Sequence, residues 1–348
     1  MDLSIGTPCD APPVDVVAAL AASGTERGYP ASIGSPAYRR AAGEWVVHRL
    51  GAEVDQVAAC VGTKEFVATT PQWMKLRRPD RDTILYPAIS YPTYEMGAIL
   101  AGLRPVPVPT DDHWRMRLDA IDPADADRAL LLWVNSPGNP AGQLDDLGAA
   151  ATWGRERGIP VFSDECYAEF TWDGPPRSIL QAGSPGVVAV HSLSKRSNLA
   201  GVRAGFYAGD GELVTYLSEV RKHVGMMVPG PVQAAAVVAL SDQAHVEAQR
   251  ELYRARLERF AKILEAVGVS VELPAGGFYL WARAGGPPGA DPVAAAAAAW
   301  ALTDRLAADG GVLVSPGEFY GQAGAGHIRV AMVAPMESLE LVASRLGV

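Results

Sequence analysis

The chain has 348 residues, of which 49% are hydrophobic and 20% are charged, and its formal net charge is −9. These values are typical of a soluble globular protein that is long enough for two domains. The acidic balance argues against nucleic acid and anionic membrane surfaces as partners, and no apolar run is long enough to span a bilayer. The first residues, MDLSIGTP, lack the basic and apolar regions of a signal peptide, so we expect a cytoplasmic protein.

The three cysteines, Cys9, Cys60 and Cys166, are scattered along the chain. Their spacing is not that of a metal site, and their small number does not suggest a disulfide framework. We therefore expect a reducing compartment and no bound metal.

Short apolar runs alternate with helical patterns through the middle of the chain. Strands that are apolar throughout are typical of parallel sheets covered on both faces, so we predict an α/β fold with a largely parallel sheet. Ligands of such sheets bind at the carboxyl ends of the strands. The predicted strands are residues 83–87, 104–109, 129–134, 159–163, 187–192 and 204–209, and 146–158 is predicted to be a helix.

The pattern changes from about residue 235 onward. Residues 244–268 predict a long amphipathic helix, 269–282 a strand pair, and 285–291 a loop. Asp291 before a proline indicates the start of an alanine-rich helix. We therefore predict a large α/β domain at residues 35–235 and a smaller α+β domain made of residues 1–34 and 236–348.

Polar residues stand at the ends of four predicted strands. They are Asn135 and Asn139, Asp164 and Tyr167, Ser192 and Lys195, and Gly62 and Thr63. Taken singly, most have an ordinary explanation, because Asn-Pro forms turns and an Asp or a Gly-Thr pair caps helices. Lys195 alone is as easily a solvated loop lysine as a functional one, although burying an ammonium group is costly.

Taken together, one subset of these residues is suited to binding a phosphate. Gly62 and Thr63 open a helix, whose first backbone N–H groups are donors for an anion. Ser192 adds a hydroxyl, and Arg203 adds a cation that can bind a phosphate through two hydrogen bonds.

The remaining residues fit the ring and aldehyde of pyridoxal phosphate. Asp164 can keep a pyridine nitrogen protonated, and Asn139 and Tyr167 can hydrogen-bond the ring oxygen. Lys195 can form the covalent link to the aldehyde that this cofactor requires. Desolvation and a neighbouring cation such as Arg203 would lower the pKa of the Lys195 amine.

Four segments, NSPGNPAG, SDECYAEF, HSLSKRSNLAGVRAGF and HIRVAM, resemble those of the fold-type-I pyridoxal-phosphate aminotransferases of class I and II, in the same order and at suitable separations. The resemblance covers nearly the whole chain. It implies an aspartate-aminotransferase-like fold, in which a mostly parallel mixed sheet of the large, cofactor-binding domain lies between helices.

The resemblance also implies a role for each matching residue. Lys195 would hold the cofactor covalently and move protons, Asp164 would pair with the ring nitrogen, and Tyr167 would contact the ring oxygen. Arg329 would bind the substrate α-carboxylate, with Gly6 and Asn139 beside it. The cofactor contacts that the resemblance implies are Gly62, Thr63, Lys64, Tyr91, Asn139, Asp164, Tyr167, Ser192, Lys195 and Arg203, with Ser194 a weaker candidate.

The segment RGYPASIGSPAYRRA at residues 27–41 resembles one that joins two subunits in this family. It implies that Tyr29 reaches the cofactor phosphate of a partner subunit, with Gly34 at the matching spacing. The implied assembly is a homodimer with shared active sites. A loop tyrosine that packs locally is the alternative for Tyr29.

HSLSKRSNLAG, RKHVGMMVPGPVQAA, SYPTYE and PGEFYG are similar to segments of the actinobacterial type of N-succinyldiaminopimelate aminotransferase. The implied reaction is a ping-pong exchange of an amino group between N-succinyl-L,L-diaminopimelate and 2-oxoglutarate, in lysine biosynthesis. The distal arginine of aspartate aminotransferases would fall near Val224, so this chain lacks it. Arg221, Lys222 and His223 could serve a doubly anionic substrate, or they form a basic patch on a helix.

Two alternatives use the same set of residues. One is an aminotransferase of other specificity, for aspartate or glutamate, aromatic or branched substrates. The other is a different pyridoxal-phosphate reaction in secondary metabolism, catalysed by a lyase, a cyclase or an oxidase. A regulator that binds the cofactor without catalysis is a further possibility.

Overall fold

The computed structural model describes residues 1–285 and 291–348. Most of the loop expected at 285–291 lies outside the described residues. In the described part, seven strands form the larger sheet in the order β1-β7-β6-β5-β4-β2-β3. These strands are β1 (Gln56–Cys60), β2 (Thr83–Pro87), β3 (Arg104–Val108), β4 (Ala129–Asn135), β5 (Val161–Asp164), β6 (Val187–Ser192) and β7 (Gly205–Gly209).

Helices cover the larger sheet, as the pattern of apolar strands predicts. They are α1 (Val14–Ala21), α2 (Pro36–Trp45), α3 (Thr63–Arg77), α4 (Thr93–Leu100), α5 (Pro123–Arg128), α6 (Leu147–Arg157), α7 (Leu193–Arg196), α8 (Gly211–His223) and α9 (Gly230–Ser241). A π-helical turn (Val46–Leu50) extends α2, and 3₁₀ turns connect several of the other elements. No helix in the described part combines the length and apolarity of a membrane span.

Strand β7 is the exception to the parallel pattern, because it runs antiparallel to both β6 and β1. The connection from β6 to β7 contains only the short helix α7, whereas a parallel crossover needs a dozen or more residues and usually a longer helix. The start of β7 therefore lies at the same edge of the sheet as the ends of β1, β4, β5 and β6. This reversal brings Arg203, just before β7, to the edge where the polar strand ends meet.

A second sheet of the described part has the order β10-β11-β9-β8 and is antiparallel. Its strands are β8 (Ser270–Val271), β9 (Tyr279–Arg283), β10 (Ser315–Pro316) and β11 (His327–Ala331). The helices α10 (Ala244–Ala266), α11 (Pro292–Gly310) and α12 (Met336–Leu346) pack with it. The expected strand pair and long helix are confirmed, and Asp291 caps α11 by accepting a hydrogen bond from the backbone of Ala294.

The N-terminal segment contributes to both hydrophobic cores. Leu3 is fully buried in the core of the second sheet, where its backbone bonds Leu313 and Ala331. Val16, in α1, is buried in the core of the larger sheet, where α1 packs on α9. The domain boundaries expected at residues 34 and 235 stay a prediction.

Candidate active site

A pocket of about 630 Å³ lies at the edge of the larger sheet where the polar strand ends meet. Its lining includes residues from both sheets and from the N-terminal segment. The predicted site residues that line it are Gly6, Thr63, Lys64, Tyr91, Asn139, Asp164, Tyr167, Ser192, Ser194, Lys195, Arg203 and Arg329. Gly62 lies behind the pocket wall, in contact with Arg203, and Tyr29 is 99% exposed and does not line the pocket.

One end of the pocket is built around Arg203. Its backbone has a φ of 63°, an uncommon conformation for a residue with a side chain and one that is found at functional sites. The guanidinium donates to the carbonyls of Ala200 at 2.9 Å and Val61 at 3.4 Å. A Cβ on Gly62 would lie 2.1 Å from Nη2 of Arg203, so only glycine leaves room for the guanidinium.

The same end of the pocket holds further groups that bind anions. Thr63 and Lys64 are the first residues of α3, whose backbone N–H groups lack partners within the helix. Ser192 caps the short helix α7 by accepting from the backbone of Ser194 at 3.1 Å, which leaves its own proton to donate. Arg203 forms no ion pair with any carboxylate among the described residues. This end is therefore suited to a phosphate.

Asp164 lies deeper in the pocket, at the end of β5. It accepts hydrogen bonds from the hydroxyl of Tyr94 at 3.0 Å and from the backbone of Cys166 at 3.2 Å. Burial raises the pKa of this carboxyl, while the two donors act in the opposite direction. A carboxylate held in this way can accept a hydrogen bond from a protonated ring nitrogen.

Two asparagines link Asp164 to the far side of the pocket. Asn135 donates to the backbone carbonyl of Asp164 at 2.8 Å and accepts from the backbone of Asn139 at 2.8 Å. The side-chain oxygen of Asn139 then accepts from Nη1 of Arg329 at 2.9 Å. The amide of Asn139 is thereby held at the boundary between the two ends of the pocket.

Arg329, on β11, is only 4% exposed. Besides Asn139, it donates to the carbonyl of Ser4, and its Nε has no partner. Its Cζ lies 4.3 Å from the ring centroid of Tyr279 and 4.6 Å from that of Tyr320. No Asp or Glu within residues 1–285 and 291–348 forms an ion pair with it. A buried guanidinium without a carboxylate is suited to binding the carboxylate of a ligand.

Lys195 lies between the two ends of the pocket, and its Nζ donates to the carbonyl of Gly6. Burial lowers the pKa of this amine to about 8; nearby Cys166 acts in the opposite direction, and the cations Arg329 and Arg203 lower it further. About a tenth of the amine is therefore free at pH 7, far more than for an ordinary lysine, as a nucleophile or a base requires.

The pocket also contains residues that we did not single out from the sequence. They are Tyr94, which donates to Asp164, Tyr279 and Tyr320, which pack on Arg329, and Cys166. Tyr94 lies three residues after Tyr91, so the spacing of the two tyrosines was a signal that could have found it. Tyr279 and Tyr320 carried no such signal, because they reach the pocket only through the packing of the second sheet.

Arg221 is not free to bind a distal anion of a substrate. Its side chain is fully buried, and its two terminal nitrogens donate to the carboxylate of Glu65 at 2.8 and 2.6 Å. Neither Arg221 nor its exposed neighbours Lys222 and His223 line the pocket. The suggestion that Arg221 serves a doubly anionic substrate is wrong for this subunit, because Glu65 already neutralises it.

Comparison with known proteins identifies the family. Residues 1–346 match the family described as aminotransferase class I and II. The chain belongs to this family. It is 42% identical to the 4-dedimethylamino-4-oxo-anhydrotetracycline transaminase OxyQ of Streptomyces rimosus, over 99% of this chain and 92% of that protein.

Two further similar proteins have names that mention diaminopimelate. The chain is 34% identical to the LL-diaminopimelate aminotransferase of Desulforudis audaxviator, over 92% of this chain and 82% of that protein. Among solved structures, the probable N-succinyldiaminopimelate aminotransferase of Thermus thermophilus is 30% identical to this chain and superposes on it with a TM-score of 0.85. The match covers 99% of this chain and 94% of that protein. The aspartate-aminotransferase-like fold is confirmed, and the chain is a pyridoxal-phosphate-dependent transaminase.

The geometry of the pocket fits this cofactor. The cation and helix start at one end suit its phosphate, Asp164 suits its ring nitrogen, and the free amine of Lys195 suits its aldehyde. The missing side chain of Gly62 lets the Arg203 guanidinium reach this end of the pocket, since a Cβ there would collide with it. When bound, pyridoxal phosphate supplies an aldehyde that condenses with amines and a ring that withdraws electrons from the adjoining carbon.

Proposed function

We propose that this aminotransferase exchanges an amino group between N-succinyl-L,L-diaminopimelate and 2-oxoglutarate by a ping-pong reaction. The observation that carries the proposal is Arg329, a buried cation in the pocket that no carboxylate of the described part neutralises. An α-carboxylate is the anion that both of these substrates share, so one arginine can bind each of them in turn.

In this proposal, each residue acts through an atom that faces the pocket. Arg329 and Asn139 hold the α-carboxylate, which fixes the substrate relative to Lys195. The amine of Lys195 would take up the α-proton of the substrate and deliver it to the cofactor carbon that carries the aldehyde, because its lowered pKa allows the amine to accept and release a proton near neutral pH. Asp164 holds a proton on the ring nitrogen, and Tyr167 contacts the ring oxygen.

The relatives support a diaminopimelate-type substrate. A probable N-succinyldiaminopimelate aminotransferase shares the fold over 99% of this chain, and an LL-diaminopimelate aminotransferase is 34% identical. Lys64 is an exposed cation at the pocket and has no carboxylate partner in the part of the chain described. This positive charge is available to an anion, either the cofactor phosphate or a distal carboxylate of the substrate.

The proposed active unit is a homodimer in the cytoplasm. Tyr29 is 99% exposed, which leaves its ring and hydroxyl available to the active site of a partner subunit. Ile5, at the pocket, is also 61% exposed although it is apolar. Covering both side chains in a subunit interface would remove apolar surface from water.

A second candidate is the amination of a polycyclic ketone in secondary metabolism. The observation that favours it is the 42% identity with OxyQ, whose name describes an oxo-anhydrotetracycline transaminase. In this reaction an amino acid still donates the amino group through Arg329, but the acceptor has no α-carboxylate. The two candidates therefore differ in the acceptor half of the reaction.

The test follows the absorption spectrum of the holoenzyme as each substrate is added. N-succinyl-L,L-diaminopimelate, LL-diaminopimelate, glutamate, aspartate and an aromatic amino acid are compared as donors by the rate at which the visible band is lost. A second-order rate constant for the succinylated donor that is at least tenfold higher than those for the other donors supports the proposal. A response to glutamate alone would reject it, and the polycyclic ketone is then tested as acceptor.

The aminated enzyme provides the second half of the test. It is made with the best donor, freed of excess donor, and mixed with 2-oxoglutarate or an anhydrotetracycline-type ketone. Recovery of the visible band with 2-oxoglutarate and not with the ketone supports the first candidate, and recovery with the ketone supports the second. The Lys195→Ala protein is the matched control, since it should show neither change.

A further inference from the structure

Tyr279, at the start of β9, lines the pocket and is 2% exposed. Its hydroxyl lies 2.9 Å from that of Tyr167, and its ring centroid lies 4.3 Å from Cζ of Arg329. A Cβ on Gly6 would lie 2.1 Å from the Tyr279 hydroxyl, so the N-terminal backbone also passes close to it. One side chain thus contacts the proposed ring-oxygen residue, the proposed carboxylate residue and the backbone that bonds Lys195.

The hydroxyls of Tyr167 and Tyr279 share one hydrogen bond, in which one hydroxyl donates and the other accepts. A hydroxyl has one proton and can accept two hydrogen bonds. If Tyr167 gives its proton to the cofactor ring oxygen, then Tyr279 must donate to Tyr167 for their own bond to persist. Burial raises the pKa of Tyr279 to about 12 and raises that of Tyr167 well above its usual value, so both hydroxyls keep their protons at neutral pH. Donation by Tyr279 polarises Tyr167 and strengthens its own donation.

The ring of Tyr279 acts on the other substrate-binding group. Arg329 has no carboxylate partner in the part of the chain described, and its contacts are Asn139, the Ser4 carbonyl and two tyrosine rings. A guanidinium next to an aromatic ring gains a cation–π attraction. The Tyr279 ring therefore holds the guanidinium in place before a carboxylate arrives.

We propose that Tyr279 is a positioning residue with two separable parts: its hydroxyl directs the Tyr167 proton to the cofactor ring oxygen, and its ring holds Arg329 for the substrate carboxylate. The inference rests on the roles proposed above for Tyr167 and Arg329. Tyr279 takes no part in the chemistry itself, but it positions Tyr167 for the cofactor and Arg329 for the substrate.

The variant Tyr279→Phe removes the hydroxyl and keeps the ring. A weaker Tyr167 donor leaves the ring oxygen more available to a proton held at Nζ of Lys195. We expect the pH midpoint of the visible band of the holoenzyme to rise by about half a unit, since coupling within a hydrogen-bond chain changes each bond only in part. The KM for the amino donor should stay within about twofold, because the ring remains beside Arg329.

The variant Tyr279→Met removes the ring as well and largely keeps the volume. It should show the same shift of the midpoint and, in addition, a KM for the amino donor that is about tenfold higher, because the cation–π contact is lost. Should this protein fail to fold, as judged by its melting curve, Tyr279→Leu takes its place. The difference between the Phe variant and the ringless variant isolates the contribution of the ring.

Tyr253→Phe is the matched control. Tyr253 is a buried tyrosine whose hydroxyl has no partner in residues 1–285 and 291–348, and its ring stacks on Phe278 at 4.7 Å. Removing this hydroxyl should leave the midpoint unchanged.

An unchanged midpoint in Tyr279→Phe overturns the role of the hydroxyl, and equal KM values in the Phe and Met variants overturn that of the ring. Failure of the proposed function is recognised separately, because wild-type protein would then respond to another amino donor and not to N-succinyl-L,L-diaminopimelate, while the Tyr279 variants can still be compared with that donor.

Discussion

Lys195 and Arg196 are neighbours in the sequence, but they belong to two regions that differ in whether the cations have carboxylate partners. Lys195 faces the pocket, where Arg203 and Arg329 also lack carboxylate partners in the described part. Arg196 faces away from the pocket and lies 3.5 Å from the carboxylate of Glu169. We call the second region, made of Trp45, Arg49, Glu169 and Arg196, the Glu169 cluster.

In the Glu169 cluster, buried charges have partners within the protein. Glu169 accepts from Nε1 of Trp45 at 3.0 Å and from Nε of Arg49 at 2.7 Å, and Arg196 also donates to the Ala239 carbonyl at 2.6 Å. These contacts hold the short helix that carries Lys195. We therefore expect the unpartnered cations of the pocket to bind ligands and the partnered cation of the Glu169 cluster to support the fold.

The variant Lys195→Ala is expected to have the largest effect. Removing the amine removes both the covalent link and the base, so turnover should fall by more than about 1,000-fold. The protein should still fold and bind pyridoxal phosphate without a covalent bond, as checked by its melting curve and by equilibrium dialysis. Lys222→Ala, at an exposed lysine outside the pocket, is the control. Transamination retained in Lys195→Ala would contradict the assignment.

The variant Arg329→Met tests the pocket side of the comparison. Loss of the guanidinium should lower kcat/KM for α-amino acids by roughly 150-fold, which corresponds to about 3 kcal/mol for a buried charge contact. Removing a buried cation that has no carboxylate partner offsets the loss of its hydrogen bonds to Asn139 and the Ser4 carbonyl, so the cofactor-free protein should lose little stability in urea unfolding. A fall in the free energy of unfolding without a change in kcat/KM would show a structural residue instead.

The lowered pKa of Lys195 predicts how the cofactor-free protein takes up pyridoxal phosphate. With a pKa of about 8 instead of 10.5, about half of the amine is free at pH 8, instead of well under one per cent. The uptake rate should therefore rise with pH up to about 8 and then level off. Rates are measured from the growth of the visible band between pH 6.5 and 10. A rate that keeps rising through pH 10 would mean that the amine is not desolvated.

The variant Arg196→Met tests the Glu169 cluster and should have the smallest effect on chemistry. Glu169 keeps Arg49 but loses a buried cation, so we expect the free energy of unfolding to fall by about 2 kcal/mol. The KM for amino donors should change little, because Arg196 does not line the pocket. Equal losses of stability in Arg196→Met and Arg329→Met would remove the distinction between the two regions.

Much of the pocket was predictable because its residues follow strands with a clear apolar pattern. Ser192 and Asp164 end the strands β6 and β5, and their neighbours Lys195 and Tyr167 follow within three residues. The strand pattern fixes where these residues lie along the sheet edge, so short motifs suffice to find them. The reversed direction of β7 was not predicted, since an apolar strand has the same composition in either direction.

The sequence by itself determined the alternation of strands and helices, the polar strand ends, and the family to which its motifs belong. Only the tertiary structure decided which charges have partners: Arg329 reaches Asn139 across 190 residues, Tyr279 reaches Tyr167 across 112, and Arg221 is neutralised by Glu65. The physical reason is that local patterns depend on neighbouring residues, whereas burial and pairing depend on how distant segments pack.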